Sequence, residues 1–257
     1  MKLELKSGSL HYLDLGKGPA VLLIHAFPLN HAMWEPQLSA LSAEFRLLVP
    51  DIRGFGGSQP PSAWTMEEMA DDLDEFLEKA RTPDCALVGV SMGGYIALSF
   101  WAKYPRRVRK LVLANTRARA DNEIEKAARN EMIAALEQSG AAILPDRILP
   151  RLLKPNSPAG VVRKVRGMIE ETSASAAIYT VMALRDRPDS STSLHRLSCP
   201  TLVLCGEDDL IVRDEESRAM ADAIRGSRFV RVPGSGHLSN LENPDEFNRV
   251  VLDFLRQ

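Results

Sequence analysis

The segment Gly89-Val90-Ser91-Met92-Gly93 carries more chemistry than any other stretch of the chain. A serine hydroxyl is a poor nucleophile until a base takes its proton, and the base must be oriented by an acid. Gly-x-Ser-x-Gly alone is a weak signal, but here it closes an apolar run at residues 85–90 and opens an apolar helical pattern. A strained strand-to-helix turn requires that context. The flanking glycines let strand and helix approach closely and leave the Ser91 hydroxyl at the strand's C-terminal end. In this arrangement the partners follow in the order serine, acid, histidine. Only His195 and His237 come after Ser91. His195, ahead of a proline-initiated strand, reads as a solvated linker residue. His237 lies in Gly234-Ser235-Gly236-His237-Leu238, straight after the last apolar run, and is the candidate base. The acid has to come from another strand end, and Gly206-Glu207-Asp208-Asp209 offers three. Asp208 and Asp209 compete, and spacing does not separate them. Asn115 and Thr116, after the fourth buried strand, are neutral and cannot stabilise an imidazolium as an acid would.

Those groups need a sheet whose strand ends share one edge. Residues 2–15 form two alternating segments around Ser7-Gly8-Ser9, a hairpin signal. Residues 20–24, 46–50, 85–90 and 108–114 are continuous apolar runs, as in strands buried on both faces. Helical patterns at 66–80 and 92–104 alternate with them, so the expected class is α/β, a mostly parallel sheet with helices on both faces. The alternation then stops. Residues 117–194 show helical periodicities at 123–139, 141–153, 159–171 and 175–185 but no comparable strand run; strands resume at 201–205 and 229–232. The expected organisation is a core of residues 1–116 and 195–257, interrupted by a helical cap at 117–194.

Composition narrows the function. The 257 residues are 45% hydrophobic and 26% charged, with 32 basic against 34 acidic side chains and no long run of one sign. That balance argues against a nucleic-acid groove or a polybasic membrane patch. No run of 18 apolar residues occurs, and residues 1–6 alternate as a strand does, unlike a secretory leader. Cys85, Cys199 and Cys205 sit in apolar strand-like runs and read as reduced core residues of a cytoplasmic protein. No pair of His or Cys has ligand spacing on one element, and Gly54-Phe55-Gly56-Gly57-Ser58 lacks the lysine of a phosphate-cradling loop. The expectation is therefore no metal, no cofactor, no nucleic acid and no membrane, with a small molecule as partner. Oligomeric state is not legible.

Five motifs in order resemble the α/β-hydrolase superfamily over nearly the whole chain: His25-Ala26-Phe27-Pro28, Asp51-x-Arg53-Gly54-x-Gly56-x-Ser58, Gly89 to Gly94, Gly206-x-x-Asp209 and Gly236-His237. Gly-Val-Ser-Met-Gly-Gly-Tyr and Gly-His-Leu-Ser-Asn-Leu-Glu-Asn-Pro are most similar to small esterases and enol-lactonase-like members with a helical cap. The resemblance implies Ser91, His237 and Asp209 as the catalytic set, choosing Asp209 over Asp208, and the backbone N–H groups of Phe27 and Met92 as oxyanion donors. Ala26 replaces the usual glycine, so the oxyanion turn survives only if its φ is negative. His25 and Arg53 read as braces for their turns. The implied reaction is hydrolysis of small to medium carboxylic esters through an acyl-enzyme. Lactone hydrolysis (enol-lactone or acyl-homoserine lactone) is the nearest alternative, with perhydrolysis as a side activity. A hydrolase-fold protein that only binds its ligand is the reading from another class. Tyr179, the one aromatic residue of 117–194, is the candidate substrate contact.

Overall fold

The computed structural model describes residues 1–58 and 63–257. Strands β1 (Lys2–Leu5) and β2 (Gly8–Leu15) form the antiparallel hairpin announced by Ser7-Gly8-Ser9. β3 (Ala20–Ile24), β4 (Arg46–Pro50), β5 (Cys85–Val90), β6 (Val108–Ala114), β7 (Thr201–Gly206) and β8 (Arg228–Val232) run parallel to one another, and β2 pairs antiparallel with β4. The order across the sheet is β1-β2-β4-β3-β5-β6-β7-β8. Every residue of β5 and β7 is buried, which is why both read as unbroken apolar runs.

Connections leave β3 toward one edge and β5 toward the other, so the sheet changes direction between these neighbours. In an open α/β sheet that switch point opens a crevice at the C-terminal strand ends. Helices α1 (Glu35–Ser42), α2 (Met66–Lys79) and α3 (Met92–Lys103) follow β3, β4 and β5. Thr65 and Glu68 close a capping box on α2, whose Met69, Leu73, Phe76 and Leu77 are buried as their spacing predicts.

Between β6 and β7 come only helices: α4 (Glu123–Ser139), α5 (Leu144–Leu152), α6 (Ala159–Glu170) and α7 (Ala174–Asp186), besides short 3-10 turns. The single helix expected at 141–153 is divided into a 3-10 turn, Ala141–Ile143, and α5. Pro145 accounts for the break, since proline suits the first turn of a new helix and not a helix interior. After β7 come α8 (Asp214–Asp222), α9 (Ser239–Glu242) and α10 (Pro244–Arg256). No helix among the described residues is long and apolar enough to cross a membrane.

Candidate active site

Ser91 stands between β5 and α3 with φ 54° and ψ −113°, a backbone conformation that costs a non-glycine residue about 1–3 kcal/mol. Packing holds it there. A Cβ on Gly89 would lie 2.3 Å from the Gly93 carbonyl oxygen, and one on Gly93 would lie 2.1 Å from that of Ile24. Only glycine permits strand, turn and neighbouring strand to close up so far. The Ser91 N–H donates to Ala114 O at 2.9 Å, and Thr116 Oγ1 donates to the Ser91 carbonyl at 2.8 Å.

The loop after β8 brings His237 Nε2 to 2.8 Å from Ser91 Oγ. Its Nδ1 lies 2.9 Å and 3.0 Å from the two carboxylate oxygens of Asp209. An ionised carboxylate only accepts, so Nδ1 carries the hydrogen and Nε2 faces the serine as an acceptor. Asp209 is buried, whereas Glu207 and Asp208 are exposed. Oδ1 of Asp209 accepts the Ile211 and Val212 N–H groups at 2.8 Å and 3.0 Å. Burial alone would raise the Asp209 carboxyl; the His237 imidazole, the Asn115 amide and the Val212 N–H outweigh it and hold it below the usual carboxylate value.

Asn115 is the residue that the sequence underrates. It directly follows β6 at φ 49° and is fully buried. Its Nδ2 donates to Asp209 Oδ2 at 3.0 Å and to Gly236 O at 3.2 Å, while Oδ1 accepts from Ser239 Oγ at 2.5 Å. A neutral side chain there cannot serve as the acid, yet it fixes the acid and the histidine loop together.

The turn after β3 supplies a second side. Ala26 is not among the positive-φ residues, so its Cβ fits, and its carbonyl accepts from Leu29 N–H at 2.9 Å. The N–H groups of Phe27 and Met92 donate to no other described residue, and both residues line the same cavity as Ser91 and His237. His25 lies behind. Its Nδ1 bonds Ala26 O and its Nε2 accepts from Ile52 N–H, both at 2.9 Å, and burial lowers its affinity for a proton. It is a neutral brace. Arg53 is similarly engaged with Asp72 and the Glu68 carbonyl.

The cavity measures about 280 Å³, near the lower end of ligand pockets, roughly 300 Å³. Beyond the core residues its walls come from α4, α5 and α7, including Met132, Ile148, Leu152, Val181 and Leu184. Tyr179 is not in that wall, contrary to expectation. It stands edge-on to Trp64 at 5.7 Å between ring centres. Two residues along a helix turn a side chain by about 200°, so α7 faces the cavity with Val181 and Leu184 and carries Tyr179 away. His195 is exposed, as a linker residue. The turn after α6 grips the loop behind Phe27: Thr172 Oγ1 donates to Pro28 O at 3.0 Å and Asn30 Nδ2 to Glu171 at 2.8 Å.

Behind this turn, His11, His31 and Asp51 bring possible metal-ligating atoms within 4.8 Å of one another. Both Asp51 oxygens are already occupied by N–H donors, from His31 backbone and ring, His11 ring and Gly57 backbone. The cluster is a pin between β2, the β3 loop and the glycine turn.

Three protein comparisons bear on this architecture. A thermophilic esterase from Thermogutta terrifontis, solved with malate bound, superposes with a TM-score of 0.96 at 38% identity, covering 100% of this chain and 98% of that one. The enol-lactonase of Burkholderia xenovorans LB400 gives a TM-score of 0.92 at 27% identity, with both chains covered in full. The 3-oxoadipate enol-lactonase 1 of Acinetobacter baylyi is 27% identical over 241 residues, 93% of this chain and 89% of that protein. The family model for the alpha/beta hydrolase fold matches residues 19–244. With the motifs in order on the sheet and its topology in agreement, the chain belongs to the alpha/beta hydrolase family.

Proposed function

We propose that this chain hydrolyses small carboxylic esters or lactones through an acyl-enzyme on Ser91. The observation that carries the reading is the hydrogen-bond chain Ser91 Oγ to His237 Nε2, then His237 Nδ1 to Asp209, opening on a cavity beside two free backbone N–H groups. Ser91 Oγ bonds to the acyl carbon while His237 takes its proton. Phe27 and Met92 N–H groups meet the oxyanion, each such donor contributing about 3–4 kcal/mol in comparable sites. His237 returns the proton to the departing alcohol as the acyl C–O bond breaks. Water then repeats the sequence, and Ser91 is restored. Residues 117–194 act as the cap that walls the pocket, and the unpaired cysteines suit a reducing cytoplasm.

The enol-lactonases among its relatives make lactones the second substrate class to test. Initial rates on a chain-length series of p-nitrophenyl esters and on a simple lactone test the reading, with Ser91→Ala beside the wild type. Loss of turnover in Ser91→Ala to the residual level of a site without its nucleophile is expected. Wild-type rates in that variant would overturn the assignment. Because His237 works as a neutral base, the wild-type rate falls toward acid; a rate independent of pH from 8 to 5 would argue against that role.

A further inference from the structure

Four arginines line the cavity, and they are not equivalent. Arg117 is buried and pairs with Asp121 and Glu125, each at 2.9 Å, and Arg129 pairs with Asp121 at 3.1 Å. Glu125, the one acid in the wall, is held by Arg117 and Arg119. Arg147 and Arg151 are different. Among the described residues neither side chain forms an ion pair or a hydrogen bond. They lie one turn apart on α5, on the side that also carries Ile148 and Leu152 into the cavity wall. The acid of that helix, Asp146, is engaged by Arg166 on α6. Two like charges at this spacing oppose each other on a helix. An anion between them would remove that repulsion, and the planar guanidinium fork matches a carboxylate well.

We propose that Arg147 and Arg151 select substrates bearing a carboxylate remote from the scissile carbonyl, that is, half-esters of short dicarboxylic acids. The inference rests on the hydrolase reading of Ser91 and names its substrate class. Water adds across the acyl C–O bond, an alcohol leaves, and the new acid releases one proton. The product is thus a dicarboxylate, with one end at the arginines and the other at the Phe27 and Met92 N–H groups. A dicarboxylate product therefore binds and competes with substrate.

The test compares mono-4-nitrophenyl adipate with 4-nitrophenyl hexanoate, equal in acyl chain length and different in charge. Wild type and the double variant Arg147→Gln/Arg151→Gln are assayed, with Ser91→Ala as blank. The expected result is a fall of about tenfold in the adipate-to-hexanoate ratio of kcat/KM in the double variant, the sum of two ion pairs made by exposed arginines. The fall should lie in KM, shrink as salt is added and be partly restored by Arg147→Lys/Arg151→Lys. An unchanged ratio alongside Ser91-dependent hydrolysis of hexanoate would overturn the arginine proposal and leave the hydrolase reading standing. Absence of any Ser91-dependent turnover would remove the hydrolase reading. Calorimetric titration of Ser91→Ala with adipate, with and without the two glutamines, then decides the arginines: weaker binding with glutamine supports them, and equal binding overturns them.

Discussion

Asn115 shows how a single neutral side chain can set the quality of a charged site. Its amide holds Asp209 and the histidine loop in register, and its carbonyl oxygen takes the Ser239 hydroxyl. Asn115→Ala leaves those buried partners unsatisfied, which costs about 1–3 kcal/mol, and places alanine at a positive φ that asparagine tolerates better. The expected outcome is a lower urea midpoint with a reduced kcat at nearly constant KM. Asp209→Asn acts on the same line of atoms more severely, because an amide can donate to the histidine and reverse its tautomer. A fall in kcat of about 10⁴-fold is expected from the equivalent change in a comparable triad. Steady-state kinetics on one p-nitrophenyl ester check both, and near-wild-type kcat in Asp209→Asn would remove it as the orienting acid. Ser91 and His237 are legible in the sequence because glycine turns and reactive side chains coincide locally. Asn115 is not legible, since its partners are 94 and 121 residues away and an asparagine after a strand is ordinary.

Among the elements, the helices between β6 and β7 depend on one buried acid. Asp121, ahead of α4, has a fully buried carboxylate that meets Arg117, Arg129 and Arg187 at 2.9, 3.1 and 2.7 Å. Arg187 caps the C-terminal end of α7 and also lies over the Tyr95 ring at 4.3 Å, joining the helices to α3. Asp121→Asn removes the shared countercharge of three guanidiniums, two of them buried. Breaking a buried pair this way costs about 3–5 kcal/mol. A fall of that size in unfolding free energy by urea titration is expected, and a change below about 1 kcal/mol would mean that the arginines find other partners. The periodicity of these helices is readable from the sequence, but their rotation is not. Tyr179 is the natural aromatic candidate by composition, yet the packing of α7 turns Val181 and Leu184 to the cavity. Helix phase relative to a distant strand end is a tertiary property, and an isolated apolar stripe does not encode it.

For the whole molecule, the same buried acids set acid stability. Asp51, Asp121 and Asp209 lie below the usual carboxylate value despite burial, because the N–H donors of His31 and Gly57, the guanidiniums of Arg129 and Arg187, and His237 with Asn115, respectively, outweigh it. Arg119 and the Asn122 N–H, against partial burial, bring Glu125 to about 2. Each binds fewer protons folded than unfolded, so stability rises with pH through this range. Their contribution is complete above the unfolded value of about 4 and disappears as pH falls through the lower folded values. His25, depressed by burial from 6.5, has the same sign in a higher window. The urea midpoint should hold above about pH 7, decline slightly below it and fall steeply under about pH 4. A midpoint constant from pH 8 to 3 would contradict this account. The order of strands and helices was open to reading from the apolar runs; this charge network was not, since Asp51, Asp209 and Arg187 meet their partners only in the fold. Its layout has an evolutionary consequence. Asp121 and the three arginines that neutralise it all fall within 117–194, so recombination could exchange that block for a relative's without stranding a buried charge. The junctions to be re-matched include Glu216 with Arg117 and Arg119, and Thr172 with the Pro28 carbonyl. In such a chain the residues of 117–194 that wall the cavity would pass as one block, separately from Ser91 at the end of β5.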